Sequence, residues 1–310
     1  MLKLKKIHFT AVGSNNVASL AIALKQAGYT VTGSDVEFAP ELRSKLLTNN
    51  VITDDNNKWS EENIDSGLDA VVTGPFVKSD NPEIKKALRL AIPVYSFSDF
   101  IYQLSTDQQR IVIAGSTGKA SIVLMIMHVL KFHKRQFDYV LNSSPNKVSA
   151  QIHISGAPLI IIEGQDVMDS INDKKPAFLR YHHHIGLISG IEWQKSDIYP
   201  TKEEYIRQFE HFAEATPKGG IMIYFELDPV AAVLSKVNKT EVLLVPYKTH
   251  ASDIVEGHEV LVSSEKKKIT LKISGKHNLQ SISAAKEVVK KTGITSEMFY
   301  QAISSFEGVA

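Results

Sequence analysis

Residues 111–121 read Ile-Val-Ile-Ala-Gly-Ser-Thr-Gly-Lys-Ala-Ser, and no other stretch constrains the architecture as tightly. Ile111 to Ala114 form an apolar run of the kind a buried parallel strand requires. Gly115 to Lys119 then make a tight loop, and Ser121 to Phe132 reads as a helix. A strand, a Gly-x-x-Gly-Lys loop and a helix start together build a phosphate cradle. The glycines let backbone N–H groups approach an anion, the helix dipole favours negative charge, and the lysine adds a point charge. A nucleotide site with magnesium also needs Ser or Thr after the lysine, as a metal ligand. Here that position is Ala120, and Ser121 lies one helical step, about 100°, further round.

Working outward, the first part of the chain alternates short apolar runs with amphipathic stretches, which predicts an α/β domain. Strands are expected at 7–12, 30–33, 70–73 and 93–95, and helices at 17–27, 40–49, 82–90 and 98–103. Asn81-Pro82-Glu83 supplies a helix start, with an Asn cap and Pro in the first turn. The polar residues 104–109 read as a linker. A second α/β pattern follows, with strands at 159–162, 185–189, 221–225, 242–245, 260–262 and 269–273. Its helices are expected at 202–215, 229–237, 278–291 and 296–305. The fold class is therefore α/β: a Rossmann-like domain over 1–106, then a second, P-loop-type α/β domain over 107–310.

Composition fits this. The chain has 310 residues, 43% apolar and 22% charged, with net charge +1 and no cysteine. A near-neutral balance implies neither a nucleic-acid nor a membrane surface. The absence of cysteine excludes a disulfide framework and cysteine–zinc sites and fits a cytoplasmic protein. No apolar run is long enough to span a bilayer.

Gly13-Ser14-Asn15-Asn16 follows the first strand with a single glycine, a weak dinucleotide signal that disfavours a nicotinamide-dependent oxidoreductase. Asp35, after Gly33-Ser34, has two readings: contact with a ribose, or a cap on the next helix. His182-His183-His184 invites a metal reading, but neighbours on a strand point to opposite faces, so a strand-entry loop is favoured.

These pieces, in this order, resemble the Mur ligase family, in its branch that joins L-alanine or a murein peptide to UDP-N-acetylmuramate. The resemblance rests on Gly13 after Ile7-His8-Phe9, Gly33-Ser34-Asp35, Asp80-Asn81-Pro82-Glu83, the Gly115–Ser121 loop, Ile161-Ile162-Glu163-Gly164 and Gly275-Lys276-His277-Asn278. It implies ATP and Mg²⁺ as cofactors, and UDP-N-acetylmuramate with L-alanine or a murein peptide as substrates. It implies catalytic roles for Lys119 and Glu163, with Glu163 also a metal ligand. It places ATP on Gly115, Ser116, Thr117, Gly118, Lys119, Ala120, Ser121, His277 and Asn278. It places the UDP-sugar on Gly13, Ser14, Asn15, Ser34, Asp35 and Gly74. A third, acceptor-binding domain of such ligases follows a Phe-x-Gly-Val motif, and this sequence stops at Phe306-Glu307-Gly308-Val309-Ala310, with that domain absent.

The chain departs from the family pattern at several positions. Ala120 lacks the hydroxyl, the family's Asp-His pair maps onto Gln194 and Lys195, and Ser281 replaces an Asn. An ammonium has no lone pair for a metal ion. Glu163 itself reads either as a metal ligand or as a solvated strand end. Two functional expectations follow: an ATP-dependent ligase with impaired or no catalysis, or a non-catalytic relative that binds a nucleotide, a UDP-sugar or a cell-wall partner.

Overall fold

The computed structural model describes residues 4–53, 57–75, 77–143, 150–170, 175–234 and 241–308. Residues 235–237 of an expected helix, and Val309-Ala310 of the closing motif, lie outside them. The chain divides into two compact units, the first made of residues 1–108, 150–156 and 166–181 and the second of 109–149, 157–165 and 182–310. Both are α/β with parallel sheets.

The first unit alternates β1 (Lys6–Thr10), α1 (Asn15–Gln26), β2 (Thr30–Ser34), α2 (Pro40–Thr48), β3 (Ala70–Thr73), α3 (Pro82–Arg89), β4 (Val94–Ser96) and α4 (Phe97–Leu104). Its sheet runs β2-β1-β3-β4, and every pairing is parallel. All four residues of β3 are buried, as befits a strand with helices on both faces. The expected helix start at α3 forms as read: Asn81 Oδ1 accepts from Glu83 N at 2.9 Å, with Pro82 in the first turn.

Two later segments return to this unit, although the sequence reading placed both in the second domain. Beside the short β7 (Ile152–His153), Gln151 Oε1 accepts from Ser19 Oγ on α1 at 2.8 Å. Ahead of α6 (Ala177–Arg180), Asp169 accepts from Ser98 N and Ser98 Oγ, both at 2.8 Å. Arg180 Nη1 pairs with Asp99 at 3.0 Å.

The second unit holds β5 (Gln109–Ala114), α5 (Lys119–Phe132), β6 (Asp138–Val140), β8 (Leu159–Glu163), β9 (Ile185–Ile188), α7 (Lys202–Glu214), β10 (Ile221–Phe225), α8 (Pro229–Leu234) and β11 (Leu243–Tyr247). Its parallel strands run β11-β10-β9-β5-β8-β6, with β5 flanked on both sides. An antiparallel sheet of β12 (Ser252–Val255), β13 (His258–Val262) and β14 (Lys268–Thr270) precedes α9 (Lys276–Lys290) and α10 (Ser296–Ile303). β12 was not expected, because three of its four residues are exposed and leave no apolar period to read. It exists through its two-residue turn, where Glu256 and Gly257 both take positive φ (50° and 80°), the twist a hairpin favours. One continuous apolar core joins α5, α9 and α10 to the buried sheet residues Ile111, Ile113, Leu187 and Ile223. Among the described residues no helix is long and apolar enough to cross a membrane.

Candidate functional site

In the second unit the loop after β5 has the expected form. Gly115 takes φ 131° and Gly118 takes φ 78°, conformations that side chains resist. Gly118 is the N-cap of α5 and offers no side chain to its first amide groups. Those groups, with the helix dipole, favour an anion there. Lys119 Nζ lies over the loop and donates to Gly115 O at 2.5 Å.

The loop is buckled to the segment leaving β9 at three points. Ser116 N donates to Gly190 O at 2.9 Å. Glu192 N donates to Ser116 Oγ at 2.7 Å, which also lies 3.1 Å from Tyr205 Oη on α7. Ser189 Oγ donates to Thr117 O at 2.6 Å. The β9-exit segment is held in turn by Asp228, whose Oδ2 accepts from Ile191 N at 2.6 Å and whose Oδ1 accepts from Val230 N at 2.9 Å. Asp228 was not singled out from sequence. Its only signal is the Asp-Pro that opens α8.

Glu163 ends β8 and is buried, 6% exposed, so the solvated-end reading is wrong. Its Oε2 accepts from Asn142 N at 2.9 Å, Ser143 N at 3.1 Å and Ser143 Oγ at 2.9 Å. Asn142 Nδ2 donates to the Glu163 main-chain oxygen. The carboxylate thus anchors the turn after β6. Gln194 and Lys195 stand exposed on the β9-exit loop, where Trp193 Nε1 donates to Tyr199 O at 3.0 Å. At the start of α9, His277 is exposed and Asn278 Nδ2 donates to Ser274 O at 2.8 Å. Ser281 is buried, with Oγ 3.6 Å from where a Cβ on Gly118 would stand, so the first turns of α9 lie beside the loop.

The loop fits the phosphates of a nucleotide, while the positions that the family resemblance assigns to magnesium fit that ion poorly. Ala120 has no side-chain oxygen and Lys195 no lone pair, which leaves the Glu163 carboxylate, whose Oε2 already accepts three hydrogen bonds. Among the described residues no group of three or more His, Cys, Asp and Glu is placed to hold a metal. Glu163→Gln, which keeps an acceptor oxygen, is expected to lower stability by about 1 kcal/mol, and Glu163→Ala by about 2–3 kcal/mol, because it strands buried donors. Thermal unfolding with and without Mg²⁺ checks this. A magnesium-dependent difference between wild type and Glu163→Gln would return Glu163 to the metal.

Two of the three histidines meet Arg110, whose Nε donates to His182 O at 2.9 Å, and the middle one faces elsewhere. His182 takes φ 45° in the turn before β9. His183 Nε2 meets Thr216 Oγ1 at 2.9 Å, and its ring lies 4.1 Å from that of Phe212. His184 Nδ1 accepts from Arg110 N at 3.0 Å. Burial, helped by the Arg110 charge, holds the His184 imidazole below its ordinary pKa.

In the first unit the carboxyl ends of β1, β2 and β3 bring Gly13, Ser34, Asp35 and Gly74 together. Asp35 Oδ2 accepts from Gly13 N at 2.8 Å. It does not cap the next helix, since α2 opens on Ala39 and Pro40. A Cβ on Gly13 would stand 2.5 Å from Glu37 O and 2.7 Å from Asp35 Oδ2, so the clasp needs glycine. Ser14 opens α1 with its Oγ buried and without a hydrogen-bond partner, and Asn15 is exposed in the first turn. Gly74 N donates to Thr10 O at 2.8 Å.

Ser34 faces inward and belongs to a buried network centred on Glu83. Glu83 Oε2 accepts from Thr10 Oγ1 at 2.7 Å and Ser34 Oγ at 2.8 Å, with His8 Nε2 at 3.4 Å. Its Oε1 accepts from Asn63 Nδ2 at 2.6 Å and Ser60 N at 3.3 Å. Burial alone would raise this carboxyl's pKa. The hydrogen bond and charge of His8, with Asn63 and Ser34, outweigh it and leave Glu83 below the ordinary value. The sequence showed Glu83 only as an acid in a first helical turn. The available signal was polar His8 and Thr10 within an apolar strand.

Residues 6–109 match the model of the Mur ligase family catalytic domain, and residues 113–289 match that of the Mur ligase middle domain. The chain is 28% identical, over 99% of its length, to the UDP-N-acetylmuramate–L-alanine ligase of Carboxydothermus hydrogenoformans, and 26% identical over 100% to that of Dictyoglomus turgidum. It spans 66% of the length of each of these relatives. Among solved structures it resembles the UDP-N-acetylmuramate:L-alanyl-γ-D-glutamyl-meso-diaminopimelate ligase from Neisseria meningitides, at TM-score 0.85 and 17% identity over 99% of both chains. It also resembles the UDP-N-acetylmuramate-alanine ligase of Thermotoga maritima, at TM-score 0.72 and 20% identity over 98% of this chain and 69% of that one. The middle-domain match alone covers more than half of the sequence and takes in the phosphate loop, Glu163 and the start of α9: the chain belongs to the Mur ligase family.

Proposed function

We propose that this chain binds the phosphates of ATP and a UDP-N-acetylmuramate-type sugar nucleotide but does not itself complete amide-bond formation. The observation that carries this is the contrast within the second unit. Its loop keeps the backbone form of an anion cradle, with Lys119 beside it, while Ala120 and Lys195 offer magnesium nothing and Glu163 is engaged through Oε2 by Asn142 and Ser143. In this reading Lys119 and the opening amides of α5 offset phosphate charge. Ser116 and Ser189 keep the loop in shape. Support for the sugar nucleotide comes from the family and from the Gly13–Asp35 clasp at the carboxyl ends of parallel strands, where ligands of such sheets bind.

The tests are direct. ATP affinity measured by calorimetry is expected to change by less than about threefold on adding EDTA, since no protein ligand for the ion is lost. A drop of about tenfold or more, equivalent to about 1.4 kcal/mol, would sink the metal-free reading. Phosphate release from ATP with UDP-N-acetylmuramate, Mg²⁺ and either L-alanine or murein tripeptide is expected to stay at background. Turnover under those conditions establishes instead an active ligase, as the names of the relatives have it. Restoring Ala120→Thr, Gln194→Asp and Lys195→His together is expected to make ATP binding respond to Mg²⁺.

A further inference from the structure

Ser189 lies at the exit of β9, 2% exposed, with its backbone fixed on both sides. Its N–H donates to Ala114 O at 3.0 Å, and its carbonyl accepts from Gln280 Nε2 of α9 at 3.0 Å. The hydroxyl donates to Thr117 O at 2.6 Å, across 72 residues of sequence. A Cβ on Gly115 would stand 2.2 Å from that hydroxyl, so the bare Gly115 backbone is what admits it.

A trans peptide points its C=O and the following N–H to opposite sides. The Gly115–Ser116 peptide shows which side is which. Ser116 N–H faces Gly190 O, on the β9-exit side, and Gly115 C=O faces the Lys119 ammonium, on the other. At the next peptide but one, Thr117 C=O is drawn to the β9-exit side by Ser189. Gly118 N–H, on the far side of the same peptide, is thereby turned away from Ser189. A carbonyl turned the other way would present a lone pair to an anion, which repels it.

We propose that Ser189 is a positioning residue of the phosphate loop: its hydroxyl orients the Thr117–Gly118 peptide so that Gly118 N–H joins Lys119 in meeting a phosphate oxygen. This rests on the phosphate-binding reading above.

The test pairs Ser189→Ala with Ser189→Thr, which keeps a hydroxyl. Calorimetry in EDTA uses ATP and tripolyphosphate as probes, and the Gly118 amide resonance is followed by ¹⁵N-correlated NMR without ligand. Ser189→Ala is expected to weaken both ligands about tenfold, the scale of one hydrogen-bond donor mis-set, and to shift the Gly118 resonance, with the melting temperature nearly unchanged. Ser189→Thr is expected to restore binding and resonance. Wild-type affinity in Ser189→Ala, or an unmoved Gly118 resonance, overturns the proposal. If the wild type binds neither probe while the Gly118 resonance still moves in Ser189→Ala, phosphate binding falls and the orienting role stands. Should Ser189→Thr fail to fold, the Gly118 resonance of Ser189→Ala decides alone.

Discussion

Gly115→Ala is expected to abolish ATP binding and to lower the stability of the second unit by about 3 kcal/mol or more. Two effects add. The residue sits at φ 131°, a conformation that alanine reaches only at a cost of about 1–3 kcal/mol. The new Cβ would also stand 2.2 Å from Ser189 Oγ and 3.0 Å from both Ser189 N and Gly190 O. The serine could rotate away, but only by releasing Thr117 O. The backbone atoms cannot rotate away, and β9 is paired on both sides. Gly118→Ala is the control. It also has positive φ, 78°, but its Cβ would meet only Ser281 Oγ, at 3.6 Å, an ordinary contact. Its expected loss is about 1 kcal/mol. The two tryptophans lie one in each unit, so Trp59→Phe leaves Trp193 to report the second unit in denaturant unfolding. Equal unfolding midpoints for Gly115→Ala and Gly118→Ala would contradict this account of the loop.

The second large effect belongs to Glu83. Glu83→Ala leaves Thr10, Ser34, Asn63 and the His8 ring without their common acceptor, with Thr10, Ser34 and His8 buried. Removing one partner of a buried charge network costs about 3–5 kcal/mol. Glu83→Gln keeps the shape but sets an amide donor against other donors, and is expected to cost about 1–3 kcal/mol. The pH dependence separates charge from shape. The folded pKa of Glu83 lies below its ordinary 4.5, so the unfolded chain binds its proton more tightly. The stabilisation is therefore present above pH 4.5 and is lost as pH falls below that value through the lower folded pKa. In a Trp193→Phe background, Trp59 fluorescence reports the first unit. The acid limb of stability is expected to be shallower in Glu83→Gln than in its parent. Identical acid limbs would show that Glu83 carries no charge-linked stability.

Much of this architecture was legible along the chain. Ile111–Ala114 announced a buried strand because a strand covered on both faces has no polar side to show. Asn81-Pro82 marked the start of α3 because a cap and a first-turn proline act within four residues. That Ala120 and Lys195 offer a cation no lone pair was equally plain, since a side chain without one cannot gain it by folding. Other features were hidden for definite reasons. β6 spans only three residues, too few for a period to emerge. Glu163 at the end of an apolar run gave no sign of its partners Asn142 and Ser143, which lie 21 and 20 positions away. The return of residues 150–156 and 166–181 to the first unit left no mark in their composition.

The sequence by itself determined most of the elements, the α/β class and the glycine loop after β5, because strand burial, helix caps and glycine spacing are properties of neighbouring residues. Only the tertiary structure decided what the polar groups do. Thr10 reaches Glu83 across 73 positions, and Ser189 reaches Thr117 across 72. A hydroxyl or carboxylate takes its meaning from the partner that folding places within 3 Å of it, and that partner is not written in its own stretch of chain.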